Sequence, residues 1–172
     1  MNVDALTVAI VAYFKGERQE MFAILAFSAG LVLVAAALLA AARDGFSRGF
    51  GVAALVLAGL LSSVAVSLLR RDPPHRAMLV AGLRGGDARG VVAGEASRMA
   101  EVIRKYPYYR LAALGLGLLA LAAVALSRRG WVNGAAAGVL LLVVAQLAVD
   151  HYSEARATRY AGQLGAALAA RP

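Results

Sequence analysis

Two stretches without a single charged residue, 21–42 and 49–69, flank the short segment Arg43-Asp44-Gly45-Phe46-Ser47-Arg48. They are 22 and 21 residues long. At about 1.5 Å per residue, either is long enough as a helix to cross a hydrocarbon core of roughly 30 Å. Lipid offers no water to satisfy backbone N–H and C=O groups, so such runs must form helices. The pair is expected as a transmembrane helical hairpin.

A second pair lies further along the chain. Residues 111–127 give a run of 17, near the lower limit for a span, and 130–149 a run of 20, with Arg128-Arg129 between them. The fold class expected is an all-α membrane protein with four transmembrane helices arranged as two tandem hairpins. Amphipathic interfacial helices should precede spans 1 and 3, and a helical C-terminal tail should come after span 4. In residues 1–20, Leu6, Ile10, Tyr13 and Phe14 recur at helical spacing on a stretch too short to span, which suits a helix lying in the interface, the alternative being an N-terminal extension packed on the bundle. Hairpin 1 occupies 21–70 and hairpin 2 occupies 110–150. Between them, residues 71–109 read as a partly helical connecting segment. Pro73-Pro74 should end the helix before it, because proline lacks an amide donor and disfavours helix in its predecessor. Gly82, Gly85, Gly86 and Gly90 should divide the segment further, and Pro107 should force a bend before the third span. Tyr106, Tyr108 and Tyr109 beside Lys105 and Arg110 are expected as an aromatic belt at headgroup level. Residues 151–172 form the tail.

Composition narrows the chemistry. The chain is 61% hydrophobic, above the usual share for a soluble domain, and its mean hydropathy is +0.70. It has no cysteine, which excludes disulfides and thiolate chemistry, and only two histidines, His75 and His151. No cofactor or metal is expected. The net charge of +8 is better matched to anionic headgroups and cytoplasmic loops than to nucleic acid. Lys and Arg number fourteen in the N-terminus, the centre and the tail together, against four in the two hairpin turns. Positive-inside counting therefore places both termini and 71–109 in the cytoplasm of a bacterial inner-membrane, multi-pass protein.

Shifted by 85 residues, the chain overlaps itself. Twelve of 35 pairs between positions 30 and 64 are identical, mostly Ala and Leu, which the composition favours anyway. More telling are Gly30 with Gly115, Arg43 with Arg128, Gly45 with Gly130 and Gly49 with Gly134. Both turns read Arg-x-Gly-aromatic-x-x-Gly, as expected of two hairpins in the same orientation. Small residues also recur at four-residue spacing in Gly45, Gly49 and Ala53, and in Gly130, Gly134 and Gly138. Such rows let helices approach closely, within the bundle or against a partner's helix. Between their flanking charges the spans hold no ionisable residue, unlike most pumps and coupled transporters. Ser62 and Ser63 should bond to a carbonyl one turn back. Gln146 is the candidate for a hydrogen bond between helices. Asp150, His151 and Glu154 read as an ion-paired helix end, with Glu154 near Arg156 or Arg159. No catalytic motif is present, and the chain is not expected to be an enzyme.

Short strings outside the spans carry a resemblance. Tyr13-Phe14-Lys15-Gly16-Glu17 to Glu20 precedes the first span, and Asp150-x-x-x-Glu154-x-Arg156-x-x-x-Tyr160 lies beyond the last. With Arg98-Met99-x-x-Val102 and Tyr109-Arg110, these resemble a family of small four-helix bacterial inner-membrane proteins. More loosely, the layout looks like multi-span immunity proteins that protect bacteria from membrane-depolarising toxins of type VI secretion. The resemblance singles out Lys15, Glu17, Glu20, Glu154, Arg156 and Tyr160 as a surface-helix motif. It implies a non-enzymatic binding protein that packs against a pore-forming toxin's inserting segment. The expected partners are the lipid bilayer, a toxin or a membrane-complex subunit, and a second copy of the chain. An accessory subunit of a larger complex is the alternative, and a small transporter or channel the third reading. Small extramembrane mass suits the first.

Overall fold

A computed structural model describes residues 2–170, and it contains four helices of almost equal length. They are α1 (Val3–Ala41), α2 (Gly45–Leu83), α3 (Ala88–Leu126) and α4 (Gly130–Ala169). All four are long and apolar enough to cross a membrane. Thirty-nine residues rise about 58 Å, nearly twice the hydrocarbon thickness. Each helix therefore carries a span and also a long extension into water.

The extensions replace several expected breaks. The interfacial helix expected over 1–20 is the first half of α1, unbroken through Gly16 and Met21. Its face of Leu6, Ile10, Tyr13 and Phe14 is buried against protein, not lipid. Pro73 and Pro74 lie inside α2, and Pro107 lies inside α3. An interior proline costs about 3 kcal/mol, but continuing α2 past it buries Leu79 and Leu83 in the core. Full burial of each such side chain contributes about 1.5–3 kcal/mol. With the partly buried Val80 this is of the same order as the cost of the two prolines, so the helix continues through them. The connecting segment 71–109 is consequently two helix ends joined by a turn at 84–87. Of the four glycines expected to divide it, only Gly85 and Gly86 lie in that turn.

The turns are set by short polar caps. Asn2, Asp44 and Asp87 each accept a backbone N–H three residues on, at 3.0, 2.9 and 2.9 Å. This satisfies an otherwise orphaned donor in the first helical turn. Because Asp44 caps α2, Phe46, Ser47 and Arg48 belong to the helix and the first turn shrinks to residues 42–44. Between α3 and α4, the turn comprises 127–129.

α2 and α4 pack together through the middle of the bundle. α1 lies on α2 and touches α4, and α3 lies on α4 and touches α2. Among the described residues, the backbones of α1 and α3 do not approach each other. The larger core unites the four extensions, with Ile10, Met99 and Leu164 almost fully enclosed. A smaller cluster, Leu31, Ala35, Ala54 and Ala58, lies between the spans of α1 and α2. The helix ends beyond the charge-free runs thus form a four-helix bundle with its own apolar core, against the expectation of little mass outside the spans.

A shift of 85 carries the bounds of α1 onto those of α3 and the start of α2 onto that of α4. Burial repeats with it: Met21 and Tyr106, Ala35 and Ala120, and Leu79 and Leu164 are buried in both halves. Polar residues break the correspondence. Glu95 takes the place of Ile10, Asp150 that of Ala65, and Asp72 that of Ala157.

Candidate functional site

Glu95 sits on the inner stripe of α3 with Val92, Met99 and Tyr106, and its side chain is only 2% exposed. A buried carboxylate is costly unless hydrogen bonds surround it. Arg98, one turn on, donates to both of its oxygens at 2.7 Å. Tyr160 of α4 donates its hydroxyl at 3.3 Å, and His75 Nε2 of α2 lies 3.3 Å away. Four polar side chains from three helices thus meet inside the extramembrane bundle. The Glu95 bond to Arg98, more than its direct charge, raises the guanidinium pKa further against desolvation.

The layer continues toward the membrane. Tyr13 of α1 stacks on Tyr160 with ring centroids 4.4 Å apart and planes at 15°. Its hydroxyl donates to Glu17 at 2.6 Å. Glu20, one turn below, accepts from the Ser153 hydroxyl and from Arg156 of α4. Tyr106 is 9% exposed beside these groups, and burial pushes its phenol up to about 12. Burial also raises the phenols of Tyr13 and Tyr160, which act as hydroxyl donors and stay neutral. Chemically this is a proton-holding, helix-aligning layer. Among the described residues no group of three His, Asp or Glu side chains is arranged to hold a metal.

Glu17 gives the layer a pH dependence. Burial raises its carboxyl pKa, with the Tyr13 bond opposing and the nearby Asp72 adding to the rise. A raised carboxyl binds its proton more tightly folded than unfolded. Its contribution is complete below the ordinary carboxylate range and is lost as pH rises from there through the folded pKa. Thermal unfolding in detergent from pH 4 to 8 is expected to show this decline in the wild type. Glu17→Gln, which cannot ionise, is expected to flatten that part of the profile.

The sequence-derived candidates separate by setting. Glu17, Glu20, Arg156 and Tyr160 meet in the interior layer, where Glu20 with Arg156 and Tyr160 stacked on Tyr13 tie α1 to α4, whereas Lys15 is exposed. Glu154 pairs with Arg110 of α3, and not with Arg156 or Arg159, because those two side chains project from other faces of α4. The glycine rows serve the bundle's own seam. A Cβ on Gly45 would lie 3.2 Å from the Trp131 nitrogen, and one on Gly130 3.2 Å from the Phe46 nitrogen. At Gly49 and Gly134 it would overlap the Trp131 and Phe46 carbonyls, and at Gly138 it would lie 2.9 Å from Ala53 Cβ. Gln146 donates to Asp150 on its own helix at 2.7 Å, so it does not bridge helices. Ser63 bonds back to the Leu60 carbonyl as expected, whereas Ser62 makes no such bond and Ser67 instead bonds back to the Ser63 carbonyl.

Asp72, His75 and Glu95 are not evident as site residues in the sequence. Their signal was a polar residue in phase with an apolar stripe: Glu95 between Val92 and Met99, and Asp72 seven residues from both Ala65 and Leu79. The aromatic belt divides similarly, since Tyr108 and Tyr109 face outward while Tyr106 points in. No family model, curated protein or solved structure matches this chain.

Proposed function

We propose that this chain is a non-enzymatic binding protein of the bacterial inner membrane, of the immunity type, which captures a toxin's membrane-inserting helix by lateral packing. The observation that carries this reading is a pair of open apolar faces on the two outer helices, each with a glycine among exposed leucines, valines and alanines and, on α1, phenylalanines. Gly30 of α1 and Gly115 of α3 have no neighbour within 4 Å, although the seam glycines of α2 and α4 are fully used. Ala23, Ala26 and Ala37 flank Gly30 on the same exposed face, and Ala112 and Ala122 flank Gly115. Faces of this kind let a second helix approach closely in lipid. The excess of Lys and Arg on the termini and the α2–α3 end supports a cytoplasmic extramembrane bundle.

Coexpression with the products of adjacent genes tests the reading. One membrane-inserting product should lose its toxicity and copurify in detergent, and Gly30→Leu with Gly115→Leu should abolish both while the bundle stays folded. If no neighbouring product is neutralised or retained, the immunity reading fails. The extramembrane core favours one alternative, an accessory subunit of a larger membrane complex. That alternative predicts stoichiometric copurification with housekeeping partners and a phenotype in the absence of any toxin.

A further inference from the structure

Between α1 and α2, where their charge-free runs end, lies a cavity of about 290 Å³ lined by Phe14, Arg18, Phe22, Leu69, Asp72, Pro73 and Arg76. Its position follows from the sequence: Leu69 is the last residue of the second charge-free run, and Arg18 lies three residues before the first. Phe22 and Leu69 line the cavity on the span side of that boundary, and Arg18 and Arg76 on the water side. The Arg18 guanidinium carbon is held 5.4 Å from the Phe22 ring centroid, a cation–π contact that leaves its N–H groups available. Among the described residues neither Arg18 nor Arg76 has an ion-pair partner, whereas Oδ1 of the Asp72 carboxylate is held by Arg71 at 3.0 Å. Pro73 and Pro74 have no N–H, so the carbonyls of Leu69 and Arg70 lack their usual helical donors. The lining therefore runs from apolar to cationic over the depth at which a phospholipid passes from acyl chain to phosphate.

The geometry points to a binding site for the phosphate of an anionic phospholipid headgroup, with Arg18 and Arg76 as its ligands and Phe22 and Leu69 against the upper acyl chain. Basic recesses between helices at the membrane surface are suited to such headgroups. A volume of about 290 Å³ falls at the lower end of small-molecule sites, which fits a headgroup and not a whole lipid. Guanidinium groups match phosphate oxygens in pairs, an advantage over lysine at this position.

The test uses delipidated full-length protein in neutral detergent, titrated with dioctanoyl phosphatidylglycerol and monitored by thermal unfolding. Dioctanoyl phosphatidylcholine and inorganic phosphate provide the comparison arms. Phosphatidylglycerol is expected to raise Tm with saturation, and phosphatidylcholine to do so at least tenfold more weakly. Arg18→Gln with Arg76→Gln should weaken the phosphatidylglycerol effect at least tenfold, and Arg76→Gln alone by a smaller factor. Arg104→Gln with Lys105→Gln removes equal charge from an exposed site outside the cavity and should leave the titration unchanged. The site is overturned if both double variants behave alike, or if phosphatidylcholine matches phosphatidylglycerol. A full shift from inorganic phosphate alone would assign the cavity to free phosphate and overturn the lipid.

Discussion

Gly134→Ala is expected to be one of the two most destabilising single-methyl additions along the bundle's seam. The added carbon would overlap the Phe46 carbonyl oxygen, which is backbone and cannot rotate aside. Accommodation requires α2 and α4 to separate at their closest crossing. Overpacking commonly costs about 1–3 kcal/mol, and a clash with backbone belongs at the upper end or beyond. Gly49→Ala should match it, because its added carbon meets the Trp131 carbonyl in the reciprocal position. Gly59→Ala is the internal control. Nothing lies within 4 Å of that position, and alanine is favoured over glycine within a helix by up to about 1 kcal/mol. Unfolding of the three variants in detergent should therefore place two well below the wild type and one at or slightly above it. Equal losses in all three would show that the α2–α4 approach is not what holds the spans together.

Glu95→Ala should cost about 3 kcal/mol. Its carboxylate gathers Arg98, His75 and Tyr160, and removal leaves a half-buried guanidinium and a buried phenol without their acceptor. Removing one partner of a buried pair typically costs about 3–5 kcal/mol, and the 30% exposure of Arg98 puts this case at the low end. Glu95→Ala with Arg98→Met is expected to recover part of the loss, because no uncompensated charge remains inside. The readout is a double-mutant cycle by thermal or denaturant unfolding in detergent. Additive losses would mean that the two side chains act independently.

The membrane half of this architecture was legible because lipid enforces a simple rule. Charge-free runs of sufficient length must be helices, and the glycines at 45, 49, 130 and 134 carry their packing on their face. The water half was not legible, since three prolines and several glycines argue locally for breaks. What overrides them is burial of Ile10, Leu79, Leu83, Val92 and Leu164 in one shared core, a gain distributed over four distant segments. For the same reason, Glu17, Glu20, Arg156 and Tyr160 could be picked out without their setting being visible. Individually they are polar residues on a helix. Only the packing of α1 against α4 turns them inward, toward Glu95 and Asp72 whose in-phase spacing was the available clue.

The proline positions have a mechanical consequence. α1 and α4 pass from the membrane into water without a proline, and they are clasped to each other by Glu20 with Arg156 and by Tyr13 stacked on Tyr160. They serve as struts. α2 and α3 carry joints, a double one at Pro73-Pro74 and a single one at Pro107, where helical hydrogen bonds are already missing. Flexing of the extramembrane half is therefore expected in one helix from each hairpin, α2 and α3, more than in α1 and α4.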